Sequence, residues 1–160
     1  MEASDDAIIS KTLESRIVTW NAAAERIYRY SAREAIGRKV NFRFPPERLA
    51  EEAAIVAKIS MGERVEHYET TRVCKGGRTI DVSVSVSPIL DSNRKVVAAS
   101  QISHDITEQK RAQTMVRESE AKLRAFLESA SQGVVTIDQK GRIELVNAKM
   151  ENISVTAATN

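Results

Sequence analysis

The clearest alternation of apolar and polar side chains lies at residues 80–87, where Ile and Val at even positions alternate with Asp and Ser at odd positions. A period of two predicts a β-strand with one buried face and one polar face. The run at residues 64–75 precedes it, and Gly76 and Gly77 join the two runs. A Gly-Gly pair is typical of a tight β-hairpin turn, so the sequence predicts two long antiparallel neighbours.

Three shorter apolar runs predict the remaining strands. Residues 7–10 and 16–20 are separated by a short polar stretch, which indicates a second hairpin. Residues 96–103 are apolar, partly β-branched and short, as expected for a buried strand. Pro88 has no backbone N–H and is expected to interrupt the ladder of the strand that contains it.

Helix signals fill the region between the two hairpins. Asn21 is a candidate N-cap for the short helix that follows it, and Ser31 with Glu34 forms a capping-box pattern. Pro45 suits the start of a longer helix that runs to about Met61. The side chains expected on its buried face are Leu49, Ala53, Val56, Ala57 and Ile59. This order of elements predicts an α+β domain, a five-stranded antiparallel sheet with its helices on one face.

After residue 105 the composition changes abruptly to helix-forming Glu, Gln, Lys, Arg and Ala. Asp105 or Thr107 can accept backbone N–H groups at the start of the helix expected over residues 107–130. One stripe of this helix is more apolar than the others and consists of Ala112, Val116, Ser119, Leu123, Phe126 and Leu127. The stripe predicts a weak, concentration-dependent parallel homodimer that the first domain helps to hold, and packing of the helix on its own domain is the alternative.

A weak internal repeat divides the chain. Residues 7–27 align without a gap with residues 133–153, at an offset of 126 positions, which indicates a duplicated unit. We therefore predict a first domain at 1–106, a helical linker at 107–130 and the truncated start of a second domain at 131–160. The end of that last segment is small and polar, so we expect it to be disordered.

Composition excludes several classes of function. The 24 basic and 22 acidic side chains give a net charge of +2 without a block of like charge, so neither nucleic acid nor an anionic membrane is indicated as a partner. No apolar run approaches the length of a membrane span, and no signal segment opens the chain. Cys74 is the single cysteine, which excludes an internal disulfide and indicates a reducing, cytoplasmic location.

Several motifs resemble those of bacterial PAS domains of the S-box type. They are Asp5-Asp6-Ala7-Ile8-Ile9-Ser10, Ile17-Val18-Thr19-Trp20-Asn21-Ala22-Ala23-Ala24-Glu25, Tyr30-Ser31-Ala32-Arg33-Glu34-Ala35-Ile36-Gly37 and Asp105-Ile106-Thr107-Glu108. The resemblance covers residues 4–110, and residues 127–153 resemble the beginning of another PAS domain. It implies a cytoplasmic sensory module, the input region of a histidine kinase or a cyclic-di-GMP signalling protein. It also implies that Asp105, Ile106 and Thr107 relay the signal, with Asp105 holding the base of the helix against the sheet.

The same resemblance argues against two cofactors. Light-reactive flavin domains of the family carry Cys where this chain has Val40, and Gln where it has Ser103; haem-binding members take a His from the long helix, which has none here. His67 and His104 are expected to be surface or structural histidines. Cys74 is expected to be a small, half-buried residue, with redox sensing as the alternative.

The candidate pocket lining consists of Tyr68, Thr70, Arg72, Val82 and Val84. These residues indicate either a dry, filled core or a pocket for a small organic anion, with Arg72 as its charge partner and Tyr68 as a hydrogen-bond donor. No catalytic or metal-ligand pattern is present, so we expect a non-enzymatic module. Two functions stay open: ligand sensing for a downstream output domain, or ligand-free dimerisation and relay.

Overall fold

The structure, a computed structural model, describes residues 5–130 and 133–146. The chain divides into two compact units, and the boundary between them lies after Lys110. The elements of the first are β1 (Ala7–Thr12), β2 (Ile17–Trp20), α1 (Ala22–Tyr28), α2 (Ala32–Ala35), 3₁₀ turns at Val40–Arg43 and Pro46–Arg48, α3 (Leu49–Ser60), β3 (Val65–Val73), β4 (Thr79–Leu90), β5 (Val96–Asp105) and the first turn of α4 (Thr107–Ser129). The strands form one antiparallel sheet in the order β2-β1-β5-β4-β3. The predicted α+β architecture is confirmed.

The core lies between the inner face of this sheet and the helices. The alternation in β4 is as predicted, because its even-numbered residues from Ile80 to Val86 are at most 1% exposed while the intervening ones are partly exposed. Full burial of one such side chain contributes roughly 1.5–3 kcal/mol. Trp20, at the end of β2, and Tyr28, at the end of α1, also belong to the core and are in tilted contact at 5.4 Å between ring centroids.

Short polar contacts fix the first helices, as the cap signals predicted. The Asn21 side chain accepts the N–H of Ala24 at 2.9 Å and also the N–H of Ile8 at 3.0 Å. One side chain therefore begins α1 and joins it to β1. Ser31 and Glu34 form the predicted capping box at α2.

The predicted buried face of α3 is correct at Ile59 but wrong for most of its other members. The buried side chains are Glu52, Ile55 and Ile59, whereas Leu49 and Ala53 are exposed. The helix is rotated because Lys11 points into the core from β1 and the Glu52 carboxylate turns inward to pair with it. The α-helix also begins only at Leu49, after the 3₁₀ turn at Pro46–Arg48.

Pro88 does not interrupt its strand, contrary to the prediction. It pairs with Ala99 of β5, and the ladder continues to Leu90. The pairing of β3 with β4 ends at Val86, so Pro88 lies where β4 has a neighbour on one side. A missing N–H is tolerated at such an edge position.

The second unit contains the remainder of α4 and a hairpin of β6 (Val135–Ile137) and β7 (Ile143–Val146). Its register matches that of β1 and β2 position for position at the offset of 126 residues, including the irregularity near the turn. Both turns also place a left-handed residue at equivalent positions, Ser15 and Gly141. The repeat is thus visible in the backbone, and the predicted disordered tail lies outside the described residues.

Candidate functional sites: a buried charged cluster and the joint between sheet and helix

The five predicted lining residues divide into three groups. Val82 and Val84 are buried in the core, Thr70 and Arg72 are buried on β3, and Tyr68 is 37% exposed. A bulge in β3 between Val65 and Tyr68 shifts the register against β4, so both residues lie opposite inward-facing valines although they are an odd number of positions apart. The predicted set therefore shares one face of the sheet.

Arg72 is already paired within the protein, although its Nε has no hydrogen-bond partner among the described residues. Its guanidinium donates to Glu51 Oε2 at 3.0 Å and to Thr70 Oγ1 at 3.0 Å, and it stacks over the Phe44 ring at 3.9 Å. Burial alone would raise the pKa of Glu51, but hydrogen bonds from Thr70 and Arg72 lower it below its ordinary value. Arg72 is consequently paired with Glu51, whose other oxygen accepts from the more exposed Arg48 at 3.0 Å.

A second buried ion pair joins β1 to α3. Lys11 Nζ donates to both Glu52 oxygens at 2.6 and 2.7 Å, and the Ser15 hydroxyl donates to Oε1 at 2.6 Å. Lys11 is completely buried, and this burial lowers its pKa despite the opposing attraction of Glu52. The pair thus links β1 of the sheet directly to α3.

Arg43 is the third buried cation of this region. Its guanidinium carbon lies 4.8 Å from the centroid of the Tyr28 ring and 5.5 Å from that of Trp20, and the residue has no exposed surface. The Tyr28 hydroxyl is close enough to favour the charged guanidinium. Even so, Nε, Nη1 and Nη2 of Arg43 and the hydroxyl of Tyr28 have no hydrogen-bond partner of acceptable geometry among the described residues. Burial lowers the pKa of Arg43.

We call Lys11, Arg43, Glu51, Glu52 and Arg72 the charged cluster. Within the described part of the chain it holds three cations and two carboxylates, and Arg43 is the member without an ion pair. Sequence reasoning missed Lys11, Arg43 and both glutamates. One signal was available, since Lys11 has the same strand parity as the apolar Ala7 and Ile9.

A groove of about 600 Å³ opens beside the charged cluster. Its lining residues are Leu13, Glu14, Ser15, Lys39, Val40, Asn41, Leu49, Glu52, Ala53, Val56 and Ala57. Much of this wall is the face of α3 that the sequence predicted to be buried. Glu52 belongs to both the groove and the cluster, and Val40 begins the 3₁₀ turn that ends with Arg43.

The joint between β5 and α4 is tied to β4 by reciprocal hydrogen bonds. The N–H of Ile106 donates to the carbonyl of Asp81 at 2.9 Å, and the N–H of Asp81 donates to Thr107 Oγ1 at 3.0 Å. Asp105 Oδ1 accepts the N–H of Thr107 at 2.9 Å. Asp105 thus caps the helix locally, while Ile106 and Thr107 make the bonds that hold its base to the sheet. Lys110 adds an ion pair with Glu69 of β3 at 2.9 Å.

The histidines and the cysteine lie apart from the charged cluster. His67 is exposed at the bulge of β3, and the exposed His104 contacts Asp6 at 2.6 Å from Nδ1 to Oδ1. Cys74 is 2% exposed, more buried than predicted, and its thiol donates to the carbonyl of Ile27. Burial raises the pKa of this thiol. No group of three or more His, Cys, Asp and Glu side chains suited to a metal occurs in the described ranges.

Of the helices in residues 5–130 and 133–146, none is long and apolar enough to cross a bilayer. Although α4 is 23 residues long, charged side chains are distributed along its whole length.

Known proteins resemble this chain in sequence. It is 29% identical over 136 residues to the sensor histidine kinase TmoS of Ectopseudomonas mendocina, a match that covers 82% of this chain and 14% of that protein. The chain thus spans about one seventh of the length of this curated relative.

Solved structures show the same fold. The crystal structure of a PAS domain from Colwellia psychrerythraea is 30% identical with a TM-score of 0.60, covering 66% of this chain and 89% of that one. An RNA-binding light-oxygen-voltage receptor (22% identity, TM-score 0.60, 77% and 36% covered) and the PAS domain of the fruit-fly ELK potassium channel (16%, 0.57, 66% and 90%) share the fold alone.

Family models agree with these likenesses. The model described as PAS fold matches residues 1–111, and one described as PAS domain matches residues 121–154. The second match contains the hairpin that repeats the register of β1 and β2. With its five-stranded sheet, its short helices and a helix leaving directly from β5, the chain belongs to the PAS family, as one PAS domain followed by part of another.

Proposed function

We propose that the first PAS domain is the input module of a longer signalling protein and transmits its state to α4 through the joint at Asp105, Ile106 and Thr107. The observation that carries this proposal is the set of hydrogen bonds between the joint and Asp81 of β4. The inner face of β4 forms the core, so a change there reaches the base of α4 through bonded backbone rather than through a flexible linker.

The longer protein is proposed to be a sensor histidine kinase or a cyclic-di-GMP signalling protein, located in the cytoplasm. Support comes from the similarity to a sensor histidine kinase. The catalytic step would belong to an output domain, and this chain would supply the sensing and relay parts.

The coupling can be measured on the 160-residue chain with a spin label on α4. In a Cys74→Ala background, Gln113→Cys places the label on an exposed position two turns beyond the joint. Val84→Ala then perturbs the core of β4 by creating a small cavity. We expect this change to alter the mobility of the label, because β4 and α4 are bonded at Asp81.

Matched valine substitutions test whether the joint carries the effect. Thr107→Val removes the hydroxyl that bonds Asp81, whereas Thr114→Val makes the same change at an exposed position of α4. The response to Val84→Ala should disappear with Thr107→Val and persist with Thr114→Val. If the label responds equally in both variants, or never responds to Val84→Ala, the relay function is refuted.

A second candidate is a ligand-free dimerisation and relay module. The observation that favours it is the exposure of Val116, Leu123 and Phe126 at 56%, 57% and 70%. These residues belong to the stripe predicted from sequence, in which Leu127 differs because it is already buried within the chain. A second copy of the chain is proposed to cover the exposed part. Sedimentation across a concentration series should show a weak dimer that Leu123→Glu abolishes and Arg124→Glu leaves largely unchanged. A monomer at every concentration would end this proposal.

A further inference from the structure

We propose that the first PAS domain binds a small monocarboxylate anion at the Arg43 guanidinium, between Tyr28 and Trp20. This inference rests on the proposed sensory function and names the chemical class of its ligand. The sequence indicated Arg72 as the charge partner of a small anion, whereas this proposal assigns that role to Arg43.

The first argument is the charge of the site. Arg72 is paired with Glu51 and Lys11 with Glu52, so the charged cluster carries one excess positive charge, on Arg43. The two flanking aromatic rings attract a cation, but they accept no hydrogen bond of the kind a guanidinium makes in water. A buried charge without a hydrogen-bonded partner is strongly unfavourable. One monovalent anion would neutralise it, whereas a dianion would leave the opposite excess.

The second argument is the inventory of donors. Arg43 presents three nitrogen atoms and Tyr28 one hydroxyl, all buried and without a partner among the described residues. A guanidinium offers two parallel N–H groups that match the two oxygens of a carboxylate. The Tyr28 hydroxyl would donate a further hydrogen bond to one of those oxygens. The arrangement therefore favours a planar carboxylate over a spherical halide.

The third argument is the surroundings of these donors. The rings of Trp20 and Tyr28 belong to the same apolar core as the valines of β4, so the hydrocarbon part of an organic acid bound at Arg43 would lie among apolar side chains. Because Arg43 has no exposed surface, entry requires movement of the 3₁₀ turn Val40–Arg43. This turn begins at Val40, which borders the 600 Å³ groove. Binding would thus be coupled to a change of conformation in a sensory domain.

The test compares carboxylates with their neutral amides on the complete 160-residue chain. Thermal unfolding is followed with acetate, propionate and benzoate, with acetamide, propionamide and benzamide, and with sodium chloride at equal ionic strength. At a carboxylate concentration ten times its Kd, we expect Tm to rise by about 5 °C. The amides and chloride should produce no such rise.

Two arginine substitutions assign the effect to the site. Arg43→Met should abolish the carboxylate response and raise the Tm of the ligand-free protein, since it removes a buried, unpaired charge. Arg38→Met is the matched control, because Arg38 is exposed and lies over the Phe42 ring at 4.0 Å; it should keep the full response. Arg43→Lys keeps the charge but loses the forked geometry, and its affinity should fall at least tenfold.

Each remaining outcome decides against the inference. Equal shifts with chloride or with the amides would overturn the assignment of a carboxylate, and a response retained in Arg43→Met would move the site elsewhere. If Arg43→Met does not fold, Arg43→Lys decides the question. An undiminished affinity of Arg43→Lys for carboxylates would likewise move the site elsewhere. Absence of any carboxylate response in the parent protein also ends the inference, while the spin-label coupling through Thr107 would still stand or fall on its own result.

Discussion

Replacing Lys11 and replacing Glu52 should destabilise the protein by different amounts, although each substitution breaks the same buried ion pair. Lys11→Met leaves two cations and two carboxylates in the charged cluster, so the remaining Glu52 still faces the positive charge of Arg43. Glu52→Met instead leaves three cations and one carboxylate, an excess of two positive charges. Removal of one partner from a buried pair costs about 3–5 kcal/mol. We therefore expect about 3 kcal/mol for Lys11→Met and about 5 kcal/mol for Glu52→Met.

The double substitution removes both charges and restores the original balance of the charged cluster. Replacement of a buried ion pair by apolar side chains of similar size is often neutral. The Ser15 hydroxyl loses its acceptor on Glu52, which costs on the order of 1 kcal/mol. Lys11→Met with Glu52→Met should consequently lie within about 2 kcal/mol of the parent protein. The coupling energy between the two sites would be several kcal/mol.

Urea denaturation followed by Trp20 fluorescence measures these energies, because Trp20 is the single tryptophan and is 7% exposed. Equal m-values would show that the compactness of the native and denatured states is unchanged. Arg48→Met is the control, since it breaks the partly exposed pair between Arg48, at the end of the 3₁₀ turn, and Glu51 of α3, and it should cost far less than either substitution in the buried pair. If Glu52→Met is unfolded without urea, Glu52→Gln removes the charge but keeps an acceptor for Ser15.

Two results would refute this account of the cluster. One is a double variant as unstable as the sum of its single variants, which would mean that the two charges do not compensate each other. The other is a larger loss for Lys11→Met than for Glu52→Met, which would mean that Arg43 does not contribute an excess positive charge at this place.

Three further predictions concern the cap of α4, the response to acid and the cofactor. Asp105→Ala should cost about 1 kcal/mol in urea denaturation and lower the hydrogen-exchange protection of the first turn of α4, because the Thr107 N–H loses its acceptor; unchanged stability and protection would contradict the capping role. Hydrogen bonds from Lys75 and Ser31 lower the pKa of Glu34 from 4.5 to about 2, so the stability it contributes is present above pH 4.5 and is lost as the pH falls toward 2. Glu34→Gln should therefore be less stable than the parent at pH 6, with the difference shrinking as the pH falls from 4.5 through about 2, and a difference independent of pH would contradict the assignment. The purified protein should be colourless and insensitive to blue light, because Val40 stands where the light-reactive flavin domains it resembles carry Cys, and α3 has no His for haem; a stoichiometric flavin or haem band in the visible spectrum would disprove this.

Local patterns in the sequence were sufficient for most of the fold. The alternation at residues 80–87 determines an inner and an outer face, because a one-residue slip would expose every valine. Asn21 and Ser31 act on backbone groups two or three positions away, so their role as helix caps does not depend on distant parts of the chain. The repeat at an offset of 126 residues likewise predicted a hairpin whose register matches that of the first.

Which residues form the charged cluster could be determined only from the tertiary structure. Lys11 and Glu52 are 41 positions apart, and no local pattern shows that a glutamate and not the apolar stripe of α3 faces the core. The bulge in β3 likewise places Val65 and Tyr68 on one face against their sequence parity. Arg43 ends a short 3₁₀ turn without a periodic pattern, so only the packing of Trp20 and Tyr28 beside it shows that its charge is buried. Periodicity reports the average polarity of a face, whereas the pairing of individual charges depends on contacts that form only when distant segments meet.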